Sequence, residues 1–167
     1  MSPAAPTHVE RRGGARSAGA ARLRTRRART LAWGAAVVAV TVHLWGLYRD
    51  HGPPTPPGFP QADKLEHLVG FGLPCFLVLL AVHLQALAGG RRPRARAVAL
   101  VAGLFAVHAG VSEVVQGALY TSRTGDPYDA LADLTGTALG LLAHLVVRRR
   151  VGPVAPSVQR GAARGGA

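Results

Sequence analysis

Four apolar stretches, 31–48, 63–87, 97–119 and 128–147, divide this sequence, and the polar segments around them alternate in the sign of their charge. The first 30 residues, the turn 89–96 and the end from Arg148 onward hold seventeen arginines against one acid, Glu10. The two remaining polar segments, with the helix ends beside them, hold Arg49, Lys64 and Arg123 against seven acids. Those acids are Asp50, Asp63, Glu66, Glu113, Asp126, Asp129 and Asp133. A bilayer imposes such sorting, because Arg and Lys accumulate on the cytoplasmic side of polytopic proteins. Four crossings place both termini and the Arg-rich turn in the cytoplasm and both acidic segments outside. The expected fold is therefore all-α: a polytopic membrane protein, a bundle of four transmembrane helices with both termini cytoplasmic, in the cell membrane.

A length of 167 residues allows one domain. Residues 1–30 are rich in Ala, Gly and Arg with almost no large apolar side chains, and the sequence predicts a disordered cytoplasmic tail there, a four-helix transmembrane domain over 31–150, and a second disordered tail over 151–167. The net charge of +12 does not mark a nucleic-acid binder, since neither basic tail carries interleaved aromatics or a basic helix face. The first run, LAWGAAVVAVTVHLWGLY, is long enough to cross with tilt, and Trp45 and Tyr48 suit its outer interface. Five prolines in 49–62 exclude regular helix between the first two runs. The lone Cys75 lies inside an apolar run and forms no internal disulfide.

Polar residues within the runs carry the chemistry. Asp63 and His67 lie four apart on one helix face, with Lys64 beside them at the helix mouth. In the third run His108, Ser112 and Gln116 recur every four residues, with Glu113 adjoining. A carboxylate at membrane depth is costly and normally faces a protein interior or a wet cavity. In the fourth run Asp126, Asp129 and Asp133 are spaced by three and four, and Gly136 and Gly140 continue that face. Asp126 before Pro127 reads as a helix cap, and glycines along one stripe permit close helix approach. His43, His83 and His144 match no motif and read as interfacial or interhelical residues. Lys64, His67, Glu113, Gln116, Arg123, Asp129 and Asp133 should then converge at the outer ends of three helices. Such a mixed cluster can bind a cation, hold a phosphate headgroup or perform acid–base chemistry, and spacing alone does not choose among these.

The segments ADKLEHLVGF (62–71), SEVVQ (112–116) and SRTGDPYDALADLTGTALG (122–140) resemble the VanZ-like family of small bacterial membrane proteins. The family pattern runs D-K-x-x-H, then E-x-x-Q, then an Arg followed six residues later by Asp, with two glycines further along that helix. Asp63, Lys64, His67, Glu113, Gln116, Arg123, Asp129, Gly136 and Gly140 match it residue by residue. Asp133 stands where the family usually has Asn. The resemblance implies a four-helix membrane fold and an association with reduced susceptibility to glycopeptide antibiotics, teicoplanin above all.

The expected ligand-binding residues are Asp63, Lys64, His67, Glu113, Gln116, Arg123, Asp129 and Asp133. In the leading reading they hold a lipid or cell-wall precursor headgroup, with Lys64 and Arg123 on phosphate or carboxylate. The expected partners are the membrane lipid bilayer and a lipid-linked cell-wall precursor, not nucleic acid, and no cofactor or resident metal is assigned. One alternative is an intramembrane hydrolase or transferase on a lipid-linked substrate, with His67 as general base or metal ligand and Glu113 as its carboxylate partner. No H-E-x-x-H or G-x-S-x-G supports it, and no catalytic residue is assigned. Another alternative is a small transporter, which four helices would serve best as an oligomer.

Overall fold

The computed structural model describes residues 8–49, 62–120 and 125–150, with side chains from Leu23 onward. Four helices account for nearly all of them: α1 (His8–Tyr48), α2 (Ala62–Ala88), α3 (Ala95–Leu119) and α4 (Pro127–Arg150). Each contains a stretch long and apolar enough to cross a membrane; in α1 it is Leu23–Tyr48. Large apolar side chains are exposed along every helix, among them Val38, Val42, Leu73, Leu104, Val107, Leu139 and Leu142. A water-soluble monomer of this size rarely exposes so much apolar surface, whereas lipid covers it without cost.

The first helix begins at His8 rather than near Leu31, so it takes in most of the Arg-rich N-terminal segment. Ala and Arg are strong helix formers, and a segment rich in both can carry helix without an apolar face to pack. Residues 1–7, 50–61, 121–124 and 151–167 lie outside the described residues. The expectations for the proline-rich segment, the C-terminal tail, Asp50 and Arg123 fall there.

The turn from α2 to α3 follows from one glycine. Gly90 sits at φ +69°, a conformation that L side chains rarely adopt. Its N–H donates to the Leu87 carbonyl at 2.9 Å and the Arg91 N–H to the Ala86 carbonyl at 3.0 Å. That pair of bonds satisfies carbonyls left open at the helix end.

α2 is the central element. One third of its apolar window (33%) is buried, against 17% for α3, and it packs most extensively on α4 and then on α1. Glycines make the α2–α4 contact. A Cβ at Gly136 would run into the Leu68 carbonyl oxygen, and one at Gly140 into that of Gly72. From the other side, a Cβ at Gly72 would lie 2.9 Å from the Gly136 oxygen. The two backbones are therefore nearly in contact, as the glycine stripe leads one to expect. Pro74 lies inside α2, which continues through it to Ala88.

The helices run antiparallel in sequence. Ala32 and Ala36 near the start of the α1 span pack on Ala81 of α2, while Leu47 near its end packs with Phe71 and Ala109. His83 and His144 meet edge to face, their centroids 5.5 Å apart, joining the α2 and α4 ends that approach the arginines. The apolar core is thin, and polar residues supply much of the buried contact.

Candidate functional site

The end of the bundle opposite the arginines carries a connected set of polar side chains from α2, α3 and the start of α4. Asp126 founds it. Its Oδ1 accepts the Tyr128 N–H at 2.8 Å and its carbonyl accepts those of Asp129 (2.9 Å) and Ala130 (3.2 Å), so it caps α4 as the D-P pair predicts. Its other oxygen takes a second role, accepting Lys64 Nζ at 2.6 Å. Lys64 and the Tyr128 N–H hold the Asp126 carboxyl below the usual carboxylate range. A carboxyl depressed in the folded state contributes to folding above its unfolded pKa and loses that contribution as pH falls through the folded value. This tie is therefore intact at neutral pH and lost only in strong acid.

Lys64 also bonds Asp129, and Asp63 lies 3.2 Å away. One ammonium thus meets three carboxylates, which use the three donors it has. The contacts pin the start of α2 to the start of α4. Asp63 is the outermost of the three, with half of its side chain exposed (51%).

One turn deeper, His67 Nδ1 lies 2.9 Å from Asp133 Oδ1, and its Nε2 lies 3.7 Å from Asp129 Oδ2. Asp133 is fully buried. Glu113 approaches from α3, where its Oε2 accepts the Asp126 N–H at 2.8 Å. Gly125 allows that approach, since a Cβ there would lie 2.7 Å from the Glu113 carbonyl oxygen. His67, Glu113 and Asp133 each offer a ligand atom, and the three atoms lie within 4.8 Å of one another. Glu113 Oε1 and Asp133 Oδ2 are buried and have no hydrogen-bond partner among the described residues.

Of the expected site residues, Asp63, Lys64, His67, Glu113, Asp129 and Asp133 are joined in this way. Gln116 faces elsewhere: its amide donates to the Leu47 carbonyl at 3.0 Å and ties α3 to α1. Arg123 lies outside the described residues. Ser112 donates to the Ala109 carbonyl at 2.9 Å within its own helix, the usual habit of a membrane-helix serine. Gln116→Leu should cost only about 1 kcal/mol, as a single interhelical hydrogen bond does in a membrane protein. Thermal unfolding in detergent measures it, and the shift should be small beside those of the glycine and lysine variants considered below.

Four further polar residues adjoin this end. His108 Nε2 lies 2.9 Å from the Tyr48 hydroxyl, and its Nδ1 lies 3.4 Å from His43 Nε2, linking α1 and α3. Tyr120 donates to the Tyr48 carbonyl at 2.8 Å. His108 was visible as part of the α3 polar stripe. No sequence pattern pairs it with His43, because the partner lies on a helix distant along the chain.

Beside the cluster, α1 and α2 enclose a groove of about 1170 Å³. Its walls are apolar, with Val42, Val69 and Leu73 among them, and His43, His67, Arg49 and Glu66 also line it. The Arg49 guanidinium lies over the Trp45 ring, 5.0 Å from its centroid, and its buried Nε has no hydrogen-bond partner among the described residues. In the sequence a lone cation just after an apolar run is indistinguishable from an ordinary snorkelling arginine. The groove sets Arg49 apart from such a residue.

Set against protein-family models, curated proteins and solved structures, the chain finds no match in any of the three comparisons.

Proposed function

We propose that this chain is a VanZ-like integral membrane protein of the bacterial cell envelope, with both termini cytoplasmic and an outward-facing polar site for the headgroup of a lipid or lipid-linked cell-wall precursor. The observation that carries the reading is the double position of His67. Its ring lines the apolar α1–α2 groove while its nitrogens meet Asp133 and Asp129 of the cluster. A groove of this volume with apolar walls and polar groups at one end suits an amphiphile.

The roles differ from those the sequence suggests. Lys64 already meets three carboxylates, so its part is to hold α2 against α4. Arg49 is the better partner for a phosphate, because it lines the groove and its Nε lacks a partner among the described residues. Glu113 holds the entrance of α4 in place through the Asp126 N–H. An effect on glycopeptide susceptibility follows if the bound headgroup belongs to a cell-wall precursor.

Glu113→Ala in cells that depend on this protein for an envelope-drug phenotype should abolish the phenotype at normal protein level. An unchanged phenotype at that level would contradict the reading. Cysteines placed at the chain ends and in the turn 89–96 should be shielded from impermeant thiol reagents in intact cells, as the arginine distribution requires.

One contact favours a second reading, an intramembrane hydrolase or transferase acting on a lipid-linked substrate. A histidine 2.9 Å from a buried carboxylate is the arrangement of a general base with its orienting partner. Turnover of a lipid-linked phosphate substrate by purified protein, lost in His67→Gln, would establish it; no turnover by the wild type would leave the binding function alone.

A further inference from the structure

We propose that His67, Glu113 and Asp133 bind a divalent transition-metal cation, Zn²⁺ or Mn²⁺, where α2, α3 and α4 meet. The three residues come from three different helices, and one potential ligand atom of each lies within 4.8 Å of the other two. Metal–ligand bonds of about 2.1 Å place tetrahedral ligands about 3.4 Å apart, so closing on an ion needs only a modest inward shift.

The second observation is the pair of orphaned oxygens. Asp133 is fully buried and Glu113 only 9% exposed, yet Asp133 Oδ2 and Glu113 Oε1 have no hydrogen-bond partner among the described residues. A buried carboxylate oxygen without a donor is costly, and buried charges are normally paired or bound to metal. The nearby cation cannot serve them. Lys64 is taken up by Asp63, Asp126 and Asp129 one turn outward, while Asp133 meets His67 through one oxygen and Glu113 meets the Asp126 N–H through one of its own.

The donor set selects the ion. One imidazole with two carboxylates suits Zn²⁺ or Mn²⁺, whereas Ca²⁺ takes six to eight oxygen ligands. His67 also lines the α1–α2 groove, which provides an entry path. Three protein ligands leave coordination positions for water or for a phosphate oxygen from the groove. The ion would then offset the charge of carboxylates that Lys64 does not reach. Metal uptake needs no lipid, so this proposal and the headgroup reading can fail separately.

The test uses the full chain purified in detergent, stripped with chelator and titrated with Zn²⁺ or Mn²⁺ alone. Wild type should take up about one ion per chain, and His67→Gln, Glu113→Gln and Asp133→Asn should each weaken binding by at least about 10-fold. His144→Leu removes a histidine from α4 about 16 Å along the helix from Asp133 and should leave uptake unchanged. In the Mn²⁺ protein, magnetic resonance should show coupling to an imidazole nitrogen. Wild-type protein that takes up no more metal than the His67→Gln/Asp133→Asn double variant overturns the proposal. A Mn²⁺ spectrum without nitrogen coupling overturns it too. Should the variants fail to fold, the wild-type stoichiometry and its Mn²⁺ spectrum decide alone.

Discussion

Gly136→Leu is expected to abolish the folded bundle, and even Gly136→Ala should destabilise it by about 3 kcal/mol or more. The reason lies in the backbones. A Cβ at Gly136 meets the Leu68 carbonyl oxygen, a group fixed in the middle of α2, so no rotamer change relieves the clash. The helices must separate, and separation undoes the largest helix–helix contact in the protein. It also draws Asp129 and Asp133 away from Lys64 and His67, because both acids lie on the same helix one to two turns before Gly136. Gly103 and Gly110 provide the control, since a Cβ at either meets nothing within 4 Å. Alanine at those sites should change stability by no more than about 1 kcal/mol, in the stabilising direction set by helix propensity. Thermal unfolding in detergent, followed by size-exclusion chromatography, measures all four variants. Gly136→Ala with wild-type stability would contradict the close α2–α4 contact.

The second large effect belongs to Lys64. Lys64→Gln leaves Asp63, Asp126 and Asp129 near one another without their shared cation. Breaking a buried ion pair from one side costs about 3–5 kcal/mol, and about 3 kcal/mol is expected here because a quarter of the Lys64 side chain (25%) stays exposed. The loss comes from stranded negative charge, so removing part of that charge should restore stability. Adding Asp129→Asn to Lys64→Gln should recover about 1 kcal/mol or more, although Asp129→Asn alone destabilises. Additive losses in this double-mutant cycle would mean that the contact contributes little. The cycle also separates the structural part of Lys64 from any contact with a ligand.

Much of this architecture was legible in the sequence because a bilayer enforces a few simple rules. Apolar runs of membrane-spanning length mark the helices, and all four are present. Gly136 and Gly140 at a spacing of four announced a close helix contact, though not which helix would fill it; α2 does, through Leu68 and Gly72. Asp126–Pro127 announced the start of α4, and its cap is in place. The start of α1 was not legible, since the apolar pattern ends near Leu31 while helix propensity carries the backbone on to His8.

The polar cluster was legible as a set of residues but not as a wiring. Periodicity brought His67, Glu113, Asp129 and Asp133 to helix faces that meet. It could not show that Lys64 is fully occupied by carboxylates, nor that Gln116 turns to the Leu47 carbonyl of α1. Asp126 was read as a cap alone, yet its second oxygen binds Lys64. Partners on different helices depend on helix rotation and depth, which a hydropathy pattern does not encode. For the same reason the groove beside His67 and the placement of Arg49 in it had no signature in the sequence.

The central claim is that this end of the bundle, with the α1–α2 groove, holds an amphiphile. Native mass spectrometry of the purified full chain tests it most directly, comparing wild type with a Val42→Trp/Leu73→Trp variant. Both substituted side chains line the groove and are half exposed or more (57% and 50%), so tryptophan there fills the groove without disturbing the packed α2–α4 contact. The wild type should retain one phosphate-bearing amphiphile per chain after detergent exchange, and the folded variant should lose it. Equal retention by wild type and variant, or none by either, would contradict the claim.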